Sequence, residues 1–402
     1  MIIRPMIRNN ICLNSHPAGC GVNVTRQIDY VKSRGAGNAQ DAPALALVAG
    51  CSTGYGLASR IAAGFGYGAA TVGVSFEKHP SASKTGTPGF YNNRAFEKAA
   101  DAAGIPAKTL NLDAFSPEAK AEAIAAVQDV AKAGKRKPLI DLFIYSLASP
   151  VRTDPETGVM YRSVIKPVGA AYTGKTVDVM SGKIFSARAE PATEEEIAHT
   201  VKVMGGEDWE LWIDALRAAG VLAPDVRTVA YTYIGPELSW PIYRDGAIGR
   251  AKADLERAAR AIKTRLAPGG GAWVSVNKAL VTRSSAVIPI IPLYVSCLFK
   301  TMKEHGLHEG CVEQITRLFT EKLYAGGGVD GVPVDEAGRI RMDDWEMRDS
   351  IQKETRERMD GITEENLFER SDAAGFRHDF LEAHGFDVAG VDYEAECDPL
   401  GV

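Results

Sequence analysis

The sequence predicts an α/β fold built on a doubly wound parallel sheet, and three observations carry that expectation. Short apolar, β-branched runs alternate with amphipathic helical stretches along most of the chain. A glycine-rich turn follows the first of these apolar runs. Residues before about 40 and after about 330 leave the alternation and read as extensions.

Taken in order, residues 44–49 (ALALVA) form a short, continuous apolar strand, 57–64 a helix, and 70–76 (ATVGVSF) a second strand. A helix over 90–103 leads to a third strand at 107–112 (AKTLNL). An amphipathic helix over 117–133 leads to a fourth at 138–145 (PLIDLFIY), apolar enough for burial on both faces. Later strands are expected at 225–233 (DVRTVAYTY) and 272–276 (AWVSV), with a neighbouring element over 281–291. Beyond 330 the texture turns charged and helical, as in DDWEMRDSIQKETRERM. The 402 residues are therefore expected as one domain. It has an N-terminal extension (1–40), a dinucleotide-binding and catalytic core (41–330) and a helical C-terminal region (331–402).

Apolar residues make up 45% and charged residues 24%, an ordinary balance for a globular protein. The net charge of −5 supplies no basic field for nucleic acid or an anionic membrane surface. No apolar run approaches the roughly 18 residues of a membrane helix; the candidate at 286–299 is short and holds two prolines. The opening MIIRPMIRNNICL lacks the continuous apolar core of a secretory leader. Six cysteines without a CxxC pair read as reduced thiols, which places the chain in the cytoplasm. Cys12, His16 and Cys20 have no second ligand pair, so no metal site is expected. His305 and His308 are expected as surface or capping residues. Glu354, Glu357 and Asp360, interleaved with Lys353, Arg356 and Arg358, are expected as a solvated helix face.

The first strand runs into Gly50-Cys51-Ser52-Thr53-Gly54-Tyr55-Gly56 and then a helix, the context of a Rossmann-like phosphate turn. Gly50 permits the tight turn, while Gly54 and Gly56 let the backbone and helix N-terminus approach a pyrophosphate. Phe76-Glu77 closes the second strand about twenty residues later, where an acidic side chain meets the adenosine ribose hydroxyls. A carboxylate there repels a 2′-phosphate and favours NADH, with Lys78 offsetting part of the repulsion. Asp113-Ala114, after the third strand, is placed near the adenine. Ser146-Leu147, after the fourth, is placed beside the pyrophosphate and nicotinamide ribose. The plainer alternative is a set of turn glycines and a solvated charge pair.

Tyr243 and Lys252 lie nine residues apart in WPIYRDGAIGRAK. In a continuous helix that spacing is a rotation of about 900°, which leaves them on opposite faces. Pro241, Asp245, Gly246 and Gly249 break the helical pattern between them, so a loop can bring the phenol back to the ammonium. A fixed cation would make a phenol, with its pKa of about 10, a better proton partner near neutral pH. Tyr231 and Tyr233, two apart on a strand end, share a face; they either line a substrate pocket or are core tyrosines with a wet tip.

These stretches, with the N-terminal HPAGC and VNVTRQIDYVKSRG, GCSTGYGLASR, VSFE, YSLASP, YTYIGPELSWPIYRDGAIGRAK, LVTRSSAVIPIIPLY and KEHGLHEGCVEQI, cover nearly the whole chain. In that order, they resemble the FabV-type NADH-dependent trans-2-enoyl-ACP/CoA reductases, enlarged relatives of the short-chain dehydrogenases. The resemblance implies Tyr243 as proton donor, Lys252 as the cofactor-binding lysine and Tyr233 as a substrate contact. It implies an NADH site of Gly50, Cys51, Ser52, Thr53, Gly54, Tyr55, Phe76, Glu77, Asp113, Ala114, Ser146 and Leu147, with Leu280, Val281 and Thr282 at the nicotinamide. The chain departs from the family at Cys51, usually alanine, and at Arg283, usually glutamine.

The implied reaction reduces the trans-2 double bond of an enoyl thioester with NADH, the final reducing step of fatty-acid elongation. The carrier is acyl carrier protein or coenzyme A, and the enzyme is expected as a monomer. Two rivals stand beside it. One is a carbonyl reductase or alcohol dehydrogenase, from whose Tyr-x3-Lys spacing Tyr243 departs. The other is a silent NADH-binding regulator.

Overall fold

The computed structural model describes residues 1–8, 11–35, 42–282 and 291–401. An N-terminal hairpin pairs β1 (Ile7–Arg8) with β2 (Ile11–Cys12), and α1 (Pro17–Arg34) follows. The HPAGC stretch makes the start of α1. His16 Nδ1 accepts a hydrogen bond from the Gly19 amide at 3.2 Å, and Pro17 takes a first-turn position whose amide would lack a helical partner. A β-carbon at Gly19 would collide with the Gly385 carbonyl, so this glycine lets α1 meet the C-terminal end of the chain.

The nucleotide half is β3 (Leu45–Ala49), α2 (Gly54–Ile61), β4 (Ala70–Ser75), α3 (Pro88–Ala102), β5 (Ala107–Asn111), α4 (Pro117–Ala133) and β6 (Ile140–Tyr145). Two hairpins follow, β7 (Val151–Thr153) with β8 (Met160–Arg162) and β9 (Tyr172–Val177) with β10 (Ile184–Ala189). The chain continues through α5 (Glu194–Met204), α6 (Glu207–Ala218), β11 (Leu222–Thr232), α7 (Ala247–Arg265), β12 (Gly271–Val276), α8 (Ile291–Glu304) and α9 (Cys311–Leu318). It ends with β13 (Ile340–Arg341), α10 (Asp349–Asp360), α11 (Leu367–Arg370) and α12 (Ala373–Glu382).

Seven parallel strands form one sheet in the order β13-β12-β11-β6-β3-β4-β5. Successive side chains point to opposite faces, and β3, β4 and β12 are buried on both, which is why they read as near-continuous apolar runs. Ala46, Val48, Leu142, Ile144 and Val229 pack with α1, α2, α3 and α9 on one face. Leu45, Leu47, Ala49, Phe143 and Ala230 pack with α4, α6 and α7 on the other. The doubly wound expectation therefore holds. Strand order reverses between β3 and β6, and a ligand crevice forms at the carboxyl ends of strands at such a point.

Three local expectations are adjusted. The helix read over 57–64 begins three residues earlier, at Gly54, and passes into a π-helical turn at Ala62–Gly66. Gly-Tyr-Gly is a weak helix start by propensity, and the turn after β3 imposes it. The element expected over 281–291 falls mostly on 283–290, outside the described residues, as does Arg283; α8 opens at Ile291. The 331–402 region, expected to be helical, holds α10, α11 and α12 and also adds β13 to the sheet edge.

His305 is an exposed partner of Glu354 at 2.8 Å, and Arg358 joins the same carboxylate, so the charged helix face is tied to its neighbours. His308 is not a surface or capping residue. It packs edge-on against Phe299, and burial, with Lys278 and Lys303 adding to it, drives its pKa down to about 2. No helix among the described residues is long and apolar enough to cross a membrane.

Candidate active site

The turn after β3 is shaped by contacts that only glycine permits. Gly50 sits at φ +84° with a β-carbon position filled by the Ser146 carbonyl, so the β3 and β6 loops touch backbone to backbone. Ser146 confirms the approach by donating its amide to Ala49 O at 2.8 Å. At Gly56 a β-carbon would strike the Gly50 carbonyl. This glycine therefore lets the turn close on itself. Gly54, at φ +55°, is the open position: among the described residues a β-carbon there would meet only Thr282 Cγ2, at 4.0 Å. Thr53 precedes α2 without a side-chain cap, which leaves first-turn amides to receive a phosphate. These features fit a dinucleotide pyrophosphate.

Cys51 is buried beneath the turn, its Sγ 3.5 Å from Asn93 Oδ1 and near Arg60, and burial pushes its thiol pKa up. Ser52 Oγ donates to Glu77 Oε1 at 2.6 Å, which locks the carboxylate at the end of β4. Asn111 grips the Glu77 backbone from β5, its Oδ1 accepting from Glu77 N at 2.7 Å and its Nδ2 donating to Glu77 O at 2.9 Å. Phe76 beside it is 77% exposed, a flat apolar surface at the strand end.

The Asp113-Ala114 loop is held from behind. Asp113 Oδ1 accepts from Phe115 N at 3.0 Å. Ala114 O accepts from Trp212 Nε1 at 3.1 Å and from Lys120 Nζ at 3.3 Å. Lys120 also pairs with buried Asp208 at 2.8 Å. Burial pushes the lysine pKa down and the aspartate pKa up, and the salt bridge opposes both shifts. Neither residue was singled out from the sequence, where both read as surface charges on helices.

On the other side of the switch point, Tyr243 lies in the irregular turns just before α7, and Lys252 lies within α7. Two glycines fold this turn back. A β-carbon at Gly246 would hit the Ile242 carbonyl, and one at Gly249 would hit the carbonyls of Tyr243 and Arg244. The Tyr243 backbone thus rests on the first turn of α7, and Lys252 is one helical turn further along. Of the eight intervening residues, Arg244, Asp245 and Gly246 form the turn and Ala247 to Ala251 open α7.

Tyr243 is buried at 8% exposure, and burial, with the Glu346 charge as a smaller cause, raises its phenol pKa above the ordinary value. Lys252 Nζ donates to Tyr231 O at 3.4 Å, and burial lowers its pKa to about 8. The ring of Tyr233 stands edge-on to that of Tyr243, with centroids 4.9 Å apart and planes at 85°. Tyr243, Leu280 and Val281 share one apolar cluster, against which Tyr55 and Tyr233 pack. Tyr55 OH reaches Lys278 O and Gln314 Oε1, both at 3.0 Å, so the phosphate turn is tied to the segment that carries Leu280 to Thr282. Tyr231, by contrast, is a core residue whose hydroxyl pairs with Ser59 Oγ at 2.6 Å.

Behind Tyr233 lies a residue that the reading of the sequence did not single out. Glu346, fully buried after β13, accepts from Tyr233 OH at 3.0 Å and Tyr294 OH at 2.7 Å through Oε1, and from Ala279 N at 2.7 Å through Oε2.

Three family models match the chain in succession. They describe the NAD(P)H-binding domain of trans-2-enoyl-CoA reductase (residues 2–82), the trans-2-enoyl-CoA reductase catalytic region (84–324) and an enoyl reductase FAD-binding domain (334–397). A trans-2-enoyl-CoA reductase (NADH) of Treponema denticola is 55% identical over 99% of both chains. Its crystal structure with NAD superposes with a TM-score of 0.93 over 99% of this chain and 98% of that one. An enoyl-acyl-carrier-protein reductase (NADH) of Saccharophagus degradans is 54% identical over 99% of this chain and 98% of its own length. The Clostridium acetobutulicum trans-2-enoyl-CoA reductase with NADH is 42% identical, with a TM-score of 0.93 over 99% of this chain and 98% of that one.

The flavin named in the third description does not fit the residues here. A β-carbon at Gly375 or Gly385 would collide with the chain's own Asp372 carboxylate or the His16 carbonyl. The start of α12 is capped by Asp372, a negative charge that would oppose a phosphate at this helix start. No step below passes through a flavin.

Proposed function

The chain belongs to the trans-2-enoyl-CoA reductase family, and on that premise we propose that it uses NADH to reduce the trans-2 double bond of an enoyl thioester. The observation that carries this reading is the folded-back turn that sets Tyr243 against the start of α7, beside the nucleotide-binding edge of the sheet.

When bound, NADH supplies a hydride, which is delivered to C3 of the enoyl group. The developing charge moves to the thioester oxygen, where the Tyr243 hydroxyl hydrogen-bonds to the enolate; the single proton this phenol gives up ends on C2, which yields the saturated acyl thioester and leaves a phenolate that solvent reprotonates. Lys252 orients the nicotinamide ribose through its hydroxyls and supplies the cation beside the phenol. Tyr233 lines the acyl side. Gly54 and the α2 amides hold the pyrophosphate, Glu77 takes the adenosine ribose and excludes a 2′-phosphate, and Leu280, Val281 and Thr282 border the nicotinamide. The carrier is coenzyme A or acyl carrier protein, and the enzyme works as a cytoplasmic monomer in the last reduction of fatty-acid elongation.

The test follows NADH absorbance with crotonyl-CoA, with acetoacetyl-CoA in parallel and crotonyl-acyl carrier protein as the second carrier. Turnover of the enoyl substrates alone supports the reading. Reduction of the ketone alone would make the chain a carbonyl reductase, and NADH binding without any turnover would make it a regulator.

A further inference from the structure

Glu346 is a fully buried carboxylate held by three donors, and the reaction above gives it no task. It comes from the turn between β13 and α10, outside the dinucleotide-binding core. Its side chain is fully buried, and its two oxygens collect three donors from three separate elements. Tyr233 OH and Tyr294 OH reach Oε1, and the Ala279 amide reaches Oε2. Gln352, on α10, braces the assembly by donating to the Glu346 carbonyl at 2.7 Å and to Tyr294 OH at 3.0 Å.

Two of the three donors lead directly to the reacting groups. Tyr233 carries the ring that stands edge-on to Tyr243. Ala279 is the residue immediately before Leu280, where the segment read as the nicotinamide border begins. One carboxylate therefore fixes the neighbour of the phenol and the anchor of the hydride side. A carboxyl buried in this way costs free energy unless its hydrogen bonds are complete, and here they are spent on those two elements.

We propose that Glu346 is the positioning residue that sets the phenol against the nicotinamide segment, acting through Tyr233 and the Ala279 amide. It touches neither substrate nor cofactor. The charged and titratable groups that face it are Lys278, Tyr294, Tyr233, Tyr243 and Tyr55 from the surrounding elements, and Asp343, paired with Arg341, from its own. Burial raises its pKa, while the Tyr294 bond, the Ala279 bond and the Lys278 ammonium favour the ionised form. Its negative charge in turn raises the Tyr243 phenol pKa.

The inference rests on Tyr243 as proton donor, and the experiment separates the two. Glu346→Gln keeps the side-chain shape and removes the charge. The expected result is a roughly tenfold or larger loss of kcat, because small misplacements of reacting groups cost that much. NADH affinity stays at the wild-type value, and the alkaline limb of the pH profile moves to lower pH. Glu346→Asp keeps the charge, so it lowers kcat but leaves the limb where it is in the wild type. Wild-type kcat and an unmoved limb in E346Q would overturn the proposal. Should E346Q not fold, Tyr294→Phe removes one donor from Oε1 and touches no reacting group: several-fold lower kcat at unchanged KM supports the proposal, and wild-type kcat overturns it. A parallel Tyr243→Phe variant that stays active would sink the proton-donor reading itself; an inactive one beside a normal E346Q sinks only the role of Glu346.

Discussion

The two halves of the site are put together by different rules. Along the phosphate cradle, each residue lies within a few positions of a strand end: Gly50 to Gly56 after β3, Glu77 after β4, Asp113 after β5 and Ser146 after β6. On the phenol side, Tyr233 and Glu346 are 113 residues apart and Tyr294 and Glu346 are 52 apart, yet all meet around one carboxylate. The cradle is backbone held by close packing. The phenol side is buried side chains held by hydrogen bonds, whose loss leaves partners unpaired. Damage to the first should therefore appear in cofactor binding and folding, and damage to the second in turnover.

The sharpest separation comes from Tyr243→Phe. We expect turnover to fall by about a thousandfold, in the range of a lost general acid, with NADH binding unchanged. Stopped-flow turnover paired with calorimetric NADH titration checks it; a parallel loss of NADH affinity would mean the halves are one unit. Next in size is Gly56→Ala. Its β-carbon would strike the Gly50 carbonyl, and backbone cannot yield as a flexible side chain can. Overpacking of this kind costs about 2 kcal/mol. A urea melt should move by about that amount while NADH affinity drops. Weakened turnover with intact NADH affinity would contradict the division.

The same contrast explains what could be read from the sequence. Six of the sheet's seven strands were legible and the two-residue β13 was not, and the helix at Pro117–Ala133 matches its expected limits because Ser116 caps it and Gly134 ends it. The glycine turn was legible because its chemistry is local. The hairpins between residues 151 and 189 carry no comparable signal, since their strands are short and partly exposed. Glu346 was hidden for a different reason. It sits in the charged run DDWEMRD, where composition points to solvent, and only tertiary packing brings two phenols and an amide to it. Its one local hint is the flanking apolar residues Ile340, Met342, Trp345 and Met347, which mark a turn pressed into the interior. Lys120 and Asp208 were missed the same way: each looks like a surface charge until the other is placed beside it.

Within the cradle, Glu77→Gln tests the smaller matter of selectivity. The amide keeps a hydrogen-bonding partner for Ser52 Oγ but no longer repels a 2′-phosphate. The ratio of kcat/KM for NADH over NADPH should fall by roughly tenfold, about 1.4 kcal/mol, with turnover on NADH little changed. An unchanged ratio would move cofactor choice away from this carboxylate.

The smallest expected effect concerns Lys252, which belongs to both halves. Burial lowers its pKa to about 8 in the folded protein, below the 10.5 of a solvated lysine. Between those values the unfolded chain binds the proton and the folded chain does not, so stability rises with pH across that window. Below about pH 8 both states are protonated, and the folded protein carries the full cost of a desolvated ammonium. Lys252→Met removes that cost: near pH 7 its Tm should exceed the wild-type value by a few degrees, since each kcal/mol moves a chain of this size by about 2 °C. The gap should shrink as pH climbs from 8 toward 10.5, and NADH binding should weaken even where the variant is more stable. A gap that does not vary with pH would mean that the ammonium is solvated in the free enzyme. The lysine's charge would then be held ready by water and not by the fold, and the cost of burying it would fall on cofactor binding.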